Sequence, residues 1–274
     1  MHLRTDHVER NLPVLRQLIK DNPLGLLTTA ISCEGFPLLQ SSHVPFVLDV
    51  DDETSTTELG RLRAHMAKAN SQSQAMLASV KAADGSASGS TATATAAPGV
   101  RRLAQDVLVI FTSPVQHYVT PKFYIETKPT TAKVVPTWNY AAAQVYGRAT
   151  IYYYENGAVP GAPQAAAVDA YLDTQLNDLS SLSESYIMGY TGTDERPLPW
   201  KVADAPEKYL AIMKRNIIGI EVAIDRLEGK FKMSQELREG DRAGVVQGFR
   251  ALDTEVGQNM ADLVQQRAPG LRTT

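Results

Sequence analysis

Apolar and polar positions along this chain repeat with two periods, and the changes of period mark its elements. Leu12, Leu15, Leu18 and Ile19 fall on one face at helical spacing, which predicts a short helix over Asn11–Lys20 with Pro13 in its first turn. Asn22-Pro23 ends it, because the residue before proline avoids the helical region. The apolar, Thr-rich stretch Leu24–Ser32, the turn Glu34-Gly35 and the return Pro37–Leu48 read as a β-hairpin. After a polar connection over Asp49–Thr57, Glu58–His65 reads as a strand and Met66–Val80 as a helix.

The run Asp106–Phe111 is continuously apolar after its first residue, as a strand buried on both faces would be. A short strand is expected near His117–Val119 and a long one over Trp138–Tyr154, with Gly147 as a bulge position. Gly157–Ala167 reads as a loop and Val168–Leu179 as a helix. Asp204 followed by Glu207 has the capping-box spacing before a helix carrying Tyr209, Ile212 and Met213. Ile218, Ile220, Val222 and Ile224 alternate in a last strand, with Glu228-Gly229 as its turn, and Asp241–Gln266 reads as one C-terminal helix. Strands without regular βαβ alternation predict an α+β barrel with flanking helices rather than a doubly wound sheet.

The segment Ala82–Gly99 is almost only Ala, Ser, Thr and Gly. It holds too little apolar surface to offset its ordering entropy, so it is expected to be a flexible loop inserted in one domain that spans residues 1–274. The chain has 274 residues, 43% of them apolar, which allows a sizeable core. No run approaches the ~20 apolar residues of a membrane helix, and the N-terminus has no apolar signal region. A single cysteine, Cys33, excludes an intrachain disulfide and suits a cytoplasmic setting, with a nuclear one left open. No cysteine–histidine cluster points to a metal. With 27 basic and 30 acidic residues and no long basic run, direct nucleic-acid binding is not expected.

A family resemblance spans nearly the whole chain. Its motifs are Ser42-His43-Val44-Pro45-Phe46, Ala64-His65-Met66-Ala67-Lys68-Ala69-Asn70, Tyr118-Val119-Thr120-Pro121-Lys122-Phe123-Tyr124 and Val135-Pro136-Thr137-Trp138-Asn139-Tyr140. They continue with Pro199-Trp200-Lys201-Val202-Ala203-Asp204-Ala205-Pro206, then Leu227-Glu228-Gly229-Lys230-Phe231-Lys232-Met233-Ser234-Gln235, then Asp241-Arg242-Ala243-Gly244-Val245. In that order they resemble the PaiB family of FMN-binding split-barrel proteins, often described as negative transcriptional regulators.

The resemblance implies a split β-barrel of the flavin-reductase and pyridoxamine-phosphate-oxidase type, a homodimer with flavin bound between subunits, and a small-molecule ligand. It implies cofactor contacts from Ser42, His43, Val44, His65, Lys68, Asn70, Trp138, Asn139, Lys230 and Gln235. No catalytic residue is indicated. The family tends to carry Trp in place of Phe231 and Asn in place of Glu236, and a carboxylate at the latter position would repel a phosphate.

The residues themselves agree in part. Arg61, Arg63, His65 and Lys68 make the expected strand-to-helix junction cationic, and a helix start favours phosphate. The plain alternative is a capping or core His65 and a solvated Lys68. Pro45 breaks a strand ladder and can aim Ser42 and His43 at a ligand; a barrel-rim histidine is the alternative. Trp138 and Tyr140 alternate with Asn139, so one face can stack on a flat ring while the other hydrogen-bonds, or all three simply pack. Lys230 and Lys232 fall in the expected loop after the last strand, where they either close over an anion or are only solvated. Three readings follow: a flavin-dependent oxidoreductase acting on a small molecule, a regulator with flavin as sensor or structural ligand, and a haem-binding barrel with His43, His65 or His117 as axial ligand.

Overall fold

The computed structural model describes residues 1–86, 97–155 and 157–269. Its strands are β1 (Val8–Glu9), β2 (Leu24–Ala30), β3 (Leu39–Pro45), β4 (Val47–Asp49), β5 (Arg61–Ala67), β6 (Val100–Thr112), β7 (His117–Val119), β8 (Thr137–Tyr152) and β9 (Ile217–Lys232). Its helices are α1 (Leu12–Asp21), α2 (Ser71–Ser86), α3 (Thr127–Thr131), α4 (Ala166–Ser181), α5 (Glu207–Arg215), α6 (Glu239–Arg250) and α7 (Glu255–Gln266). The strands run in the order β3-β2-β6-β8-β9-β5-β4, with β1 beside β9 and β7 beside β8. This is the mixed α+β architecture, with a large antiparallel sheet, that the strand pattern predicts.

The chain divides into two compact units. One holds Met1–Asn22, Phe111–Gln144 and Leu227–Thr274; the other holds Pro23–Ile110 and Val145–Arg226.

In the second unit, β2 and β3 form the expected hairpin, with Leu26 opposite His43 and Gly25 opposite Val44. β5 pairs antiparallel with β9, Ala64 opposite Ile220 and His65 opposite Gly219. Alternate residues Leu62, Ala64, Ile218, Ile220 and Val222 are buried, as a period of two requires. Helix α4 covers this region through Tyr171. Its hydroxyl accepts from the Ala64 N–H at 3.3 Å and donates to the Ile220 carbonyl at 2.6 Å, and its ring stacks on Tyr152 at 3.9 Å. Gly147 is a close-approach position and not simply a weak point in β8: a Cβ there would lie 2.0 Å from the Ala223 carbonyl oxygen.

In the first unit, Asn11 caps α1 by accepting from the Val14 N–H, and Leu15, Leu18 and Ile19 are its buried face. Asp241 at the start of α6 accepts from the backbone N–H groups of Glu126 and Thr127 at 2.9 and 3.0 Å, which fixes the entry to α3. Phe249 packs edge-on against His117 and Phe123.

The structure departs from the sequence reading at five places. First, β5 continues through Met66 and Ala67, which pair with Ile218 and Ile217, and α2 begins only at Ser71. Lys68 therefore stands in the turn before the helix and not in its first turn. Second, β9 does not turn at Glu228-Gly229, because Gly229 and Lys230 pair with Glu9 and Val8 of β1. Third, the C-terminal helix is two: Asp253 has φ 53°, and the Thr254 hydroxyl then caps α7 by accepting from the Gly257 N–H. Fourth, the Asp204 carboxylate accepts from the Lys201 N–H and does not cap α5, whose start at Pro206 has no side-chain cap. Fifth, of the predicted loop Ala82–Gly99, Ala82–Ser86 continue α2, and residues 87–96 lie outside the described residues.

Candidate functional site

Six of the sequence-derived positions belong to the second unit: Ser42, His43, Val44, His65, Lys68 and Asn70. They sit on β3, at the end of the strand order, and on the β5–α2 turn. Val44 is buried, so its side chain belongs to the core, whereas His43 is exposed and Ser42 half-buried. Asn70 ties the two motifs together. Its Oδ1 accepts from the Gln72 N–H at 2.8 Å, the geometry of an N-cap, and its Nδ2 donates to Ser42 Oγ at 3.2 Å. Gln72, almost fully buried, donates to the Leu27 and Gln40 carbonyls and so fastens the start of α2 to β2 and β3.

Lys68 is placed by its backbone N–H, which donates to the Asn216 carbonyl at 2.8 Å, just past the end of α5. Its ammonium lies over the Tyr154 ring, 5.8 Å from the centroid. Burial lowers its pKa from the usual lysine value, and the positive charges of Lys81 and Arg215 lower it further. His65 Nδ1 is buried without a hydrogen-bond partner, and burial likewise lowers the imidazole's pKa. The turn thus gathers positive charge, and at the end of β5 burial disfavours the charged form of His65. Its donor set fits a dianionic phosphate: an ammonium, an amide and a helix start.

Beside it runs a separate ion network. Arg63 donates to both carboxylate oxygens of Asp49, at 2.6 and 2.8 Å, and to Asp178 of α4 at 2.6 Å. Burial opposes ionisation of Asp49, but the Arg63 hydrogen bond and charge, with help from Arg61, outweigh it and hold the carboxyl below its usual range. Sequence reading placed Arg63 in the cationic junction. Its acidic partner Asp178 lies 115 positions away, so no local pattern signals that this charge is neutralised.

The remaining four positions belong to the first unit: Trp138, Asn139, Lys230 and Gln235. Trp138 is exposed, with Tyr118 6.3 Å away, and Asn139 points the opposite way and is fully buried. Asn139 and Ser234 bond each other, Nδ2 donating to Ser234 Oγ at 3.0 Å. Gln235 accepts from the Met233 N–H and donates to the Phe231 carbonyl, both at 2.6 Å. The amides of Asn139 and Gln235 thus hold the chain together after β9. Lys230 lies over the Tyr140 ring at 5.5 Å, and Lys232 donates to Thr137 Oγ1.

Three contributors carried no motif. Tyr154 supplies the ring under Lys68, and Lys81 and Arg215 supply the neighbouring charge. Arg215 stands beside Lys214 in the basic last turn of α5.

Residues 1–226 match the family described as "Putative FMN-binding domain". An uncharacterized protein of Aspergillus fumigatus is 48% identical over 272 residues, covering 97% of each chain. One of Emericella nidulans is 48% identical over 269 residues, again covering 97% of each. The protease synthase and sporulation protein PAI 2 of Bacillus subtilis is 23% identical over 163 residues, 60% of this chain and 64% of that one. Among solved structures, the flavocytochrome Anf3 of Azotobacter vinelandii aligns at 11% identity and TM-score 0.39, covering 84% of this chain and 72% of that one.

Proposed function

Because this chain belongs to the family described as "Putative FMN-binding domain", we propose that it binds FMN with the phosphate at the β5–α2 turn, and that it acts as a flavin-dependent oxidoreductase on a small molecule. The carrying observation is Lys68: a partly buried ammonium, placed by the Asn216 carbonyl, with no carboxylate within ion-pair distance among the described residues. Asn70 and Ser42 stand beside it with polar atoms already oriented. FMN supplies the electron transfer; the protein's residues bind and orient it.

The edge strand β3 supports the reading, because an edge strand presents backbone donors and acceptors that its one neighbour leaves unpaired. Exposed apolar side chains concentrate between Tyr186 and Met213, including Leu198 and Trp200, and this favours a homodimer. The formal charge of −3 disfavours duplex DNA as a direct partner.

The test is the absorbance spectrum of the purified chain, before and after addition of FMN. Flavin bands that co-purify, or FMN fluorescence quenched on titration, support the reading. A haem Soret band, or no response to FMN, overturns it.

A further inference from the structure

We infer that Lys68, Lys81 and Arg215 act together as a receptor for a terminal phosphate monoester, so that Lys81 and Arg215 set the preference for FMN over riboflavin. This rests on the FMN reading above and adds two residues that no motif contains. Three observations carry it.

The first is convergence. The Lys68 N–H is bonded to the Asn216 carbonyl, which brings the β5–α2 turn against the end of α5, where Arg215 is the last residue. Lys68 lies over the ring of Tyr154 at 5.8 Å, and Lys81 of α2 lies over the ring of Tyr153 at 5.7 Å. Consecutive tyrosines thus draw the two lysines toward one end of β8. Second, the cluster is uncompensated. Elsewhere in this unit a buried cation has its acid: Arg63 has Asp49 and Asp178. Among the residues whose side chains are described, Lys68, Lys81 and Arg215 have no carboxylate within ion-pair distance, and the charges acting on Lys68 are the other two cations.

Third, the arrangement is held against a repulsion. Like charges gathered beside a buried group raise the free energy of the empty site, and a bound dianion removes that repulsion. The tyrosine rings supply part of the compensation through their negative faces, but a ring face cannot discriminate a phosphate from no phosphate. A dianion can, and FMN differs from riboflavin by that group alone. The faces of Lys68 not over Tyr154 are left to the ligand, and Lys81 and Arg215 are exposed, so the receptor opens to solvent.

The test uses the full chain and four variants: Lys81→Gln, Lys81→Arg, Arg215→Gln, and Lys128→Gln as a control for net charge on an exposed residue of the other unit. Affinities for FMN and riboflavin are measured by titration calorimetry, and melting temperatures are compared in inorganic phosphate and in chloride at equal ionic strength. Expected is FMN binding about tenfold weaker in Lys81→Gln and in Arg215→Gln, with riboflavin affinity and the Lys128→Gln control unchanged and Lys81→Arg restored. Phosphate should raise the melting temperature of the native chain and not of those two variants.

Native FMN affinity in both Gln variants overturns the inference while leaving the FMN reading intact. If FMN fails to bind the native chain but phosphate stabilises it through Lys81 and Arg215, the flavin reading falls and the receptor stands. No response to either ligand overturns both.

Discussion

Asn70 Nδ2 donates to Ser42 Oγ at 3.2 Å, joining two motifs that lie 28 residues apart in sequence. The same side chain caps α2 through Oδ1, so one residue both starts the helix and fixes the β3 edge beside Lys68. Asn70→Ala removes both bonds. Loss of an N-cap costs about 1 kcal/mol, and the Ser42 contact adds a few tenths more on a partly exposed site. Asn70→Asp keeps the cap but puts a carboxylate where a phosphate is proposed to bind. Chemical denaturation should therefore show Asn70→Asp near native stability and Asn70→Ala below it. FMN titration should show the opposite emphasis, with Asn70→Asp the weaker binder. Equal FMN affinity in the two variants would remove the turn from the binding site.

His65 gives the fold a pH dependence of definite sign. Burial lowers its pKa from the ordinary 6.5, so the unfolded chain binds the proton more readily than the folded one. Stability from this group is complete above pH 6.5 and declines as the pH falls below it, until the folded-state pKa is passed. His65→Gln abolishes the titration. Unfolding free energies measured between pH 7.5 and 5 should converge for the two proteins, the native chain losing more on acidification. Parallel curves would show that His65 is protonated equally in both states.

The Arg63 network responds in a lower window. Asp49 has a folded-state pKa below the ordinary 3.8, so its contribution is present above that value and lost as the pH falls through the folded one. Removing Arg63 leaves Asp49, three-quarters buried, without its bidentate partner. Arg63→Met is expected to destabilise the chain by about 2–3 kcal/mol at neutral pH, less than for a fully buried pair because Asp178 is about half exposed and Asp49 is not fully buried. The Arg63→Met, Asp49→Leu double variant should recover part of that loss, since the buried carboxylate of Asp49 is gone and the charges that lose a partner, Asp178 and Arg61, are about half exposed. A double variant no more stable than Arg63→Met would contradict this account.

These residues also show what the sequence makes legible. The apolar alternation of Ile218, Ile220 and Val222 locates β9, because burial on one face imposes a period of two. The same alternation does not say where a strand ends. Gly229 reads as a turn residue, yet β1 pairs with it from the far end of the chain, and the pairing carries β9 on to Lys232. Lys68 and His65 are visible as chemistry, since charge and imidazole stand out at a strand end. Lys81 is not: one lysine on a weakly amphipathic helix looks solvated until Tyr153 and Lys68 are seen beside it. The break at Asp253 is equally hidden, because Asn or Asp in the left-handed region leaves no periodic trace.

Glu236 stands where the family resemblance leads one to expect an amide, and the structure gives its carboxylate a partner in the chain itself. His7 is 2% exposed, and its Nε2 lies 2.9 Å from Glu236 Oε2. The carboxylate lies within hydrogen-bond distance of a buried ring in its own unit, so it is held locally and is not directed at a phosphate by default. Glu236→Ala strands a buried imidazole nitrogen, and the expected loss is about 1–3 kcal/mol of stability. Glu236→Gln keeps an acceptor for the ring and should lose less. If the pair is purely structural, FMN affinity is the same in Glu236→Gln and the native chain when both are measured well below their melting temperatures. Tighter FMN binding in Glu236→Gln would mean that the carboxylate does reach the cofactor's phosphate, and that this chain binds flavin against a repulsion that an amide there would remove.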